Sequence, residues 1–321
     1  MRIGILGTSF GKRHGEIFTS FPDVEVVGIA GRNRQKTEEI ANALGVPSYT
    51  DPYELINRPD IDAIDVCLPT NIHSTYVRAA LNQGKHVFCE TPVAYTLAEA
   101  EQMSEAAASC KRLVLVALFG RFVSDYKYVH DYIEAGHLGR PKVLFTNRRT
   151  PPIWGNGWNE NFILDLMLHD IDYSYWLLGK PLAVTSRALG NPEKGWEHVF
   201  IALEYEDVSA VIEGSGIMPL SFPFSTSLRV VCEGGAIDLN WYWGGEFPVS
   251  EVKLYPSKGE PQILSIPGYD PYEAECRYFA DCIQGKANPE LLGIDTACAS
   301  LRIALAARTS LEQNGQRIEI G

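Results

Sequence analysis

Residues 63–94, AIDVCLPTNIHSTYVRAALNQGKHVFCETPVA, contain the pattern that decides the fold. Two short apolar runs, residues 63–68 and 86–89, flank a segment at 74–82 with helical character, and Gly84 falls where that helix should end. Short runs without polar alternation are typical of strands buried on both faces, as in a parallel sheet. The stretch therefore predicts a strand–helix–strand unit.

The same alternation fills the first 120 residues. Further short apolar runs lie at 3–6, 24–30 and 113–117, with helix-like segments at 35–44 and 97–110 between them. Repeated units of this kind predict an α/β domain with a doubly wound parallel sheet, the Rossmann architecture. We place this dinucleotide-binding domain at residues 1–120.

The pattern changes after residue 121. Strand-like runs separated by Gly and Pro occupy residues 183–266, which predicts a mostly antiparallel sheet. Helices are predicted at 125–135, 161–178, 272–284 and 295–313, and a strand at 142–149. Residues 121–321 are therefore expected to form an α+β domain for substrate binding and oligomerisation.

Composition excludes several classes of protein. The net charge of −12 argues against nucleic acid or an anionic membrane as the main partner. The seven cysteines include no CxxC pair, and the start, MRIGILG, is too short an apolar run for an export signal. We expect a cytoplasmic protein with reduced thiols.

A glycine-containing turn, Gly7-Thr8-Ser9-Phe10-Gly11, follows the first predicted strand. Such a turn lets backbone N–H groups approach a pyrophosphate at a helix N-terminus, although glycine in a strand–helix turn can also be purely steric. After the second strand come Arg32 and Asn33, with no acid until Glu38. Because arginine accommodates a ribose 2′-phosphate, we expect NADP in preference to NAD.

Polar residues follow two neighbouring strands. The strand at 63–68 is followed by Pro69-Thr70-Asn71 and His73, and the strand at 86–89 ends in Glu90-Thr91-Pro92. Ligands of open α/β sheets bind outside the carboxyl ends of the strands, so these groups are candidates for a cofactor site. Either Asn71 or His73 could alternatively be a helix cap or a surface residue.

The segment at 161–179, NFILDLMLHDIDYSYWLLG, carries polar residues on an otherwise apolar helix. Asp165, His169, Asp172 and Trp176 have the spacing of a single helix face. A carboxylate and an imidazole one turn apart suit general acid–base chemistry, with Asp165 orienting His169. The alternative is an internal hydrogen-bonded pair, and no metal site is predicted.

The order of these features resembles the Gfo/Idh/MocA family of oxidoreductases, named for glucose–fructose oxidoreductase and inositol dehydrogenase. The resemblance rests on IGILGTSFG, on the 63–94 stretch, on ALFGRF and on LDLMLHDIDYSYWLLGKP. It implies a Rossmann domain, an open-faced sheet domain that packs against another subunit in a homo-oligomer, a nicotinamide cofactor (NADP or NAD), and commonly a sugar, polyol or nucleotide-sugar substrate.

The residue patterns and the resemblance together give expected roles at individual positions. The resemblance itself matches family positions at Gly7, Ser9, Gly11, Pro69, Asn71, His73, Arg121, Asp165 and His169. The expected cofactor-binding residues are Gly7, Thr8, Ser9, Phe10, Gly11, Arg32, Asn33, Leu68, Pro69, Thr70, Asn71, His73, Glu90 and Thr91. The expected substrate-binding residues are Arg121, Trp158, Asp165 and His169, and the expected catalytic residues are His169, Asp165 and Thr91.

Two positions depart from the family pattern. Thr91 occupies the place of the lysine in the family's Glu-Lys-Pro motif, and Met167 stands where glycine is usual and should reshape the substrate pocket. Threonine offers one neutral hydroxyl where lysine offers a charge and a proton. Three hypotheses therefore remain open: an oxidoreductase that relies on His169, a cofactor-binding protein without catalysis, and an NAD-assisted glycosidase or lyase.

Overall fold

The computed structural model describes residues 1–152, 161–191, 195–245 and 247–321. The chain divides into two compact units, one of Met1–Phe119 with Asp270–Cys298 and one of Gly120–Tyr269 with Ala299–Gly321. The predicted domains were continuous in sequence, at 1–120 and 121–321. The compact units are not, because a late segment of 29 residues, Asp270–Cys298, belongs to the first unit.

The first unit contains a six-stranded parallel sheet, which confirms the predicted α/β class. Its strands are β1 (Arg2–Leu6), β2 (Glu25–Ala30), β3 (Ser48–Tyr49), β4 (Ala63–Val66), β5 (His86–Cys89) and β6 (Val114–Val116). The order across the sheet is β3-β2-β1-β4-β5-β6. The chain order reverses between β1 and β4, and this is where ligands bind in folds of this type.

Helices connect these strands. They are α1 (Phe10–Ser20), α2 (Arg34–Leu44), α3 (Pro52–Ile56), α4 (His73–Asn82) and α5 (Leu97–Cys110), followed late in the chain by α8 (Pro271–Ile283). Local sequence explains several ends: Thr96 caps α5 by accepting from the Glu99 N–H, and Gly45 ends α2 with a φ of 70°. Asp270 and Pro271 start α8 in the same way, with an oxygen cap and a proline in the first turn.

The second unit is built on a nine-stranded mixed sheet in the order β14-β13-β12-β11-β7-β10-β9-β8-β15. The strands are β7 (Pro141–Arg149), β8 (Ala183–Asn191), β9 (Gly195–Glu204), β10 (Ser209–Ser215), β11 (Ser225–Cys232), β12 (Gly235–Trp243), β13 (Pro248–Pro256), β14 (Gln262–Leu264) and β15 (Ile318–Glu319). Among the strand pairs described in this second sheet, β7–β10 alone is parallel, which agrees with the predicted mostly antiparallel sheet.

Helices α6 (Ser124–Glu134) and α7 (Leu168–Leu178) belong to this unit, and α9 (Ile294–Glu312) begins in the first unit and ends in the second. A π-helical turn, Ile163–Met167, precedes α7. Within the described residues, none of the helices combines the length and the apolar character that crossing a bilayer would require.

Candidate functional site

The glycine turn after β1 is required by close packing. Gly7 has a φ of +114°, and a Cβ there would lie 2.1 Å from the carbonyl oxygen of Cys67. A Cβ on Gly11 would lie 2.9 Å from the Cγ2 of Ile5, so α1 approaches the sheet closely. Ser9 stands at the N-cap of α1 but makes no side-chain capping bond within the described chain. The Lys12 N–H donates to the Ser9 carbonyl oxygen at 3.2 Å, and the Ser9 side chain caps none of the first-turn N–H groups. The turn therefore fits a dinucleotide pyrophosphate.

Arg32 and Asn33 follow β2, at the position where Rossmann domains distinguish NAD from NADP. The Asn33 Oδ1 accepts a hydrogen bond of 3.1 Å from the Lys36 N–H, so Asn33 is the N-cap of α2. Arg32 is exposed. The structure therefore gives Asn33 a local structural role and leaves Arg32 as the cation that could meet a 2′-phosphate.

The segment after β4 is organised by a buried histidine. Pro69 and Asn71 are exposed around a 3₁₀ turn, Thr70–Ile72, whereas His73 is 1% exposed at the start of α4. The His73 Nε2–H donates to the carbonyl oxygen of Leu68 at 2.6 Å, and burial lowers the pKa of the ring. His73 is therefore a neutral group that fixes the backbone at the end of β4.

Glu90, at the end of β5, connects the strand to a buried cluster. Its Oε2 accepts from the backbone N–H of Thr91 at 3.1 Å, and its Oε1 lies 3.4 Å from the Nε2 of His14. The other ring nitrogen of His14, Nδ1, lies 3.1 Å from Asp65 Oδ2. Both His14 and Asp65 are 0% exposed. Three strand or helix segments thus meet at one imidazole.

His14 is the cation of this cluster. Burial alone would lower the pKa of His14, but the charge and hydrogen bond of Asp65 and the charge of Glu90 outweigh burial and raise it to about 9. Burial raises the pKa of Glu90 to about 6 in spite of His14. The ring of Phe88 stacks on His14 with centroids 5.5 Å apart, which keeps the surroundings apolar. His14 is therefore an imidazolium between two carboxyl groups at neutral pH.

One group of potential metal ligands occurs in the described chain, and it overlaps this cluster. Ligand atoms of His14, Cys67 and Glu90 lie within 4.8 Å of one another. An imidazolium has no lone pair for a metal, and burial raises the pKa of the Cys67 thiol well above its usual value. The arrangement is that of an ion-pair network.

Glu275 of α8 adds a further carboxyl group. Its side chain is 0% exposed, and neither oxygen has a hydrogen-bond partner among the described residues. Burial and then the charge of Glu90 raise the pKa of Glu275 well above its usual value, which favours its protonated form. His14, Asp65 and Glu275 were not among the predicted site residues. Asp65 alone carried a signal in the sequence, as an acid inside the short apolar run at 63–68.

In the second unit, the π-helical turn changes the predicted single polar face. Asp165 lies within that turn and is exposed, whereas His169, on the first turn of α7, is half-buried. The His169 ring has no hydrogen-bond partner in the described part of the chain, so the structure does not bring Asp165 and His169 into a hydrogen-bonded pair. Burial and then the charge of Arg148 lower the pKa of His169 to about 3.

Asp172 and Trp176 both contact Arg121. The Nε and Nη2 of Arg121 donate to the two oxygens of Asp172 at 2.9 and 2.8 Å, and the guanidinium lies 5.4 Å from the centre of the Trp176 ring. Ser300 donates to the same carboxylate at 2.7 Å. Arg121 is 3% exposed and held internally. The predicted substrate residue Trp158 lies outside the described residues.

Met167 is accommodated by a glycine on the neighbouring strand. Met167 is 0% exposed, and a Cβ on Gly214 of β10 would lie 2.5 Å from its sulfur. The bulk at position 167 therefore packs against the sheet of its own unit.

Two family profiles match this chain. The profile described as "Oxidoreductase family, NAD-binding Rossmann fold" matches residues 1–118, and that of the GFO/IDH/MocA C-terminal domain matches residues 126–238. Together they cover most of the chain. The chain belongs to the GFO/IDH/MocA oxidoreductase family.

Individual members of the GFO/IDH/MocA family align over much of the chain. The scyllo-inositol 2-dehydrogenase (NAD(+)) of Bacillus subtilis is 26% identical over 337 residues, covering 100% of this chain and 96% of that protein. The myo-inositol 2-dehydrogenase of Thermotoga maritima is 32% identical over 185 residues, covering 56% of this chain and 55% of its own length. The crystal structure of aldose–aldose oxidoreductase from Caulobacter crescentus complexed with glycerol has a TM-score of 0.85 at 18% identity, covering 99% of each chain.

Proposed function

We propose that this GFO/IDH/MocA oxidoreductase interconverts a hydroxyl and a carbonyl group on a polyol or sugar with NAD(P), and that His169 is its acid–base group. The observation that carries the proposal is the glycine turn, where Gly7 and Gly11 leave no room for a Cβ and α1 presents an uncapped N-terminus. Similarity to inositol dehydrogenases over the whole chain supports the substrate class.

The residues present would hold the cofactor in a defined way. The N–H groups after Gly7 would bind the pyrophosphate, and the segments at 68–73 and 90–91 would contact the nicotinamide side. When bound, the nicotinamide ring supplies the hydride acceptor or donor. The His14–Glu90 ion pair and the bond from the Thr91 N–H to Glu90 hold the backbone at the end of β5.

The chain's own residues must move one proton. Burial and then the charge of Arg148 lower the pKa of His169 to about 3, so the ring is neutral at pH 7 and can accept the proton of a substrate hydroxyl as a weak base. Thr91 is proposed to donate a hydrogen bond in place of the family lysine, and Asp165, exposed beside the helix start, to bind substrate hydroxyls. Arg121 and Trp158 stay predictions as substrate residues.

Arg32 supports NADP as the cofactor. It is exposed at the end of β2, and its neighbour Asn33 is already used as a helix cap. A guanidinium there suits a 2′-phosphate. Fluorescence titration with NADPH and NADH tests this proposal, and tighter binding of NADH would contradict it.

Thr91 favours a second candidate, a family member that binds the cofactor without catalysis. Loss of a cation at the reacting oxygen commonly reduces rates by ~10²–10³. Screening purified protein for cofactor reduction with inositols, aldoses and alditols separates the candidates. Tight cofactor binding with no turnover on the whole panel would favour the second candidate. Cleavage of a glycoside without net cofactor consumption would instead indicate an NAD-assisted glycosidase or lyase.

The open face of the second sheet supports a homo-oligomer. The strand registers place Val143, Phe200, Tyr242 and Tyr255 on one face, and all four are more than a third exposed. Large exposed apolar side chains on one surface are typical of an interaction site. Light scattering after gel filtration should give a multiple of the 35.6 kDa chain mass.

A further inference from the structure

Arg148 lies on the helix-facing side of β7. It has the same strand parity as Leu144 and Thr146, both 0% exposed, whereas Arg149 points to the opposite face. Its Nε donates to the Oδ2 of Asp170 on α7 at 2.7 Å, and Asp170 is 1% exposed. The Arg148 side chain is 15% exposed. A mostly buried cation is therefore fixed by one carboxylate while part of it stays accessible.

The remaining donors of this guanidinium are unused. Arginine has five N–H groups, and the pair with Asp170 uses the one on Nε. The four on Nη1 and Nη2 have no acceptor among the described residues, and the group lies 5.8 Å from the centre of the Phe224 ring. Two parallel N–H donors on a rigid fork match the two oxygens of a carboxylate.

His169 lies within electrostatic reach of this cation. After burial, the charge of Arg148 is the second cause of the low pKa of His169. The other ionisable groups that act on Arg148 are Asp170 from α7 and the Tyr126 hydroxyl from α6. The half-buried acid–base group and the unused guanidinium donors thus belong to one cluster within the second unit.

We propose that Arg148 binds a carboxylate group of the substrate, so that the preferred substrates are acidic sugars or polyols such as uronates, aldonates or hydroxy acids. The proposal rests on the proposed function, since it takes His169 as the acid–base group. A bound carboxylate would offset the charge of Arg148, and His169 would become a stronger base with the acid bound than with a neutral sugar.

Matched ligand pairs test this directly. Calorimetric titration of the full chain, saturated with oxidised cofactor, would compare D-glucuronate with D-glucose and D-gluconate with D-glucitol. We expect each acid to bind roughly 10–100-fold more tightly than its neutral partner, the range of one charge-assisted pair. Equal affinity within both pairs would overturn the proposal, as would preference for glucose 6-phosphate with no binding of glucuronate.

Variants assign the preference to a residue. Arg148→Gln should abolish the preference for acids, and Arg148→Lys, which keeps the charge near Asp170 but loses the fork, should retain part of it. Arg149→Gln is the matched control, because Arg149 faces away and both oxygens of Glu213 already accept from it at 2.9 and 2.5 Å. An unchanged preference in both Arg148 variants would refute the assignment.

Turnover measured on the same ligands separates the two proposals. Binding of acids that depends on Arg148, without cofactor reduction by any ligand, would leave the carboxylate site standing and remove the proposed function. Oxidation of neutral polyols, together with equal binding of acids and neutral ligands, would leave the proposed function standing and remove the carboxylate site.

Discussion

Replacing His14 by glutamine should destabilise the first unit in a pH-dependent way. The imidazolium lies between Asp65 and Glu90, and removing one partner of a buried ion pair typically costs about 3–5 kcal/mol. The raised pKa of His14 gives a second figure for the stabilisation by this ion pair. A rise from 6.5 to about 9 corresponds to about 3 kcal/mol of stabilisation by the protonated form.

The direction with pH follows from the raised pKa. The stabilisation from His14 is fully present below pH 6.5 and is lost as the pH rises through 9. Integrating between pH 6.5 and pH 9 gives a loss of roughly 2.5 kcal/mol in the wild type. The His14→Gln variant lacks this slope, so the difference between the two proteins should shrink toward pH 9. The pKa of Glu90 is raised from 4.5 to about 6, so the ionisation of Glu90 affects stability in a lower pH window, between pH 4.5 and about 6.

Unfolding of the two units can be followed separately, because no tryptophan occurs in the first unit, Met1–Phe119 with Asp270–Cys298. Urea unfolding followed by far-UV circular dichroism reports both units, whereas tryptophan fluorescence reports the second alone. His14→Gln should shift the dichroism transition, and the exposed His137→Gln should shift neither. Equal slopes of stability against pH in wild type and His14→Gln would refute the proposed imidazolium.

Further substitutions test the cofactor site, the reacting position and the second unit. Thr91→Lys should raise kcat by about 10² by restoring a cation, and an unchanged kcat would contradict this explanation of the departure from the family. Arg32→Ala should weaken NADPH binding more than NADH binding in fluorescence titrations, and equal weakening would count against a 2′-phosphate site. Gly7→Ala should abolish cofactor binding or folding, since a Cβ would overlap the Cys67 carbonyl, and binding of normal strength would contradict the tight turn. Gly214→Ala should cost about 1–3 kcal/mol in thermal unfolding and be rescued by Met167→Ala, whereas additive losses would show that the two do not contact each other.

The first sheet could be predicted because its strands are buried on both faces. The uniform apolar run at 86–89 and the helical segment at 97–110 predicted β5 and α5 to the residue. The two-residue strand β3 carries no such signal. The local sequence pattern also could not predict that α8 belongs to the first unit, because an amphipathic helix does not specify which surface it will cover.

The parts of the candidate site formed by residues adjacent in sequence were predicted, and the parts formed by residues far apart in sequence were not. The glycine turn and the polar strand ends are local. The cluster of His14, Asp65 and Glu275 joins residues that are far apart in sequence, and the π-helical turn at Ile163–Met167 breaks the four-residue spacing assumed for Asp165 and His169. Which of the two adjacent arginines faces α7 likewise depends on the strand register.

The proposal that His169 is the acid–base group of an NAD(P)-dependent oxidoreductase is tested most directly by steady-state cofactor reduction in wild type and His169→Asn. The wild type should reduce the cofactor with at least one polyol, sugar or sugar acid, and the variant should lose about 10²–10⁴ in kcat at unchanged cofactor affinity. A variant that turns over at the wild-type rate, or a wild type with no turnover on the whole panel despite tight cofactor binding, would contradict the account.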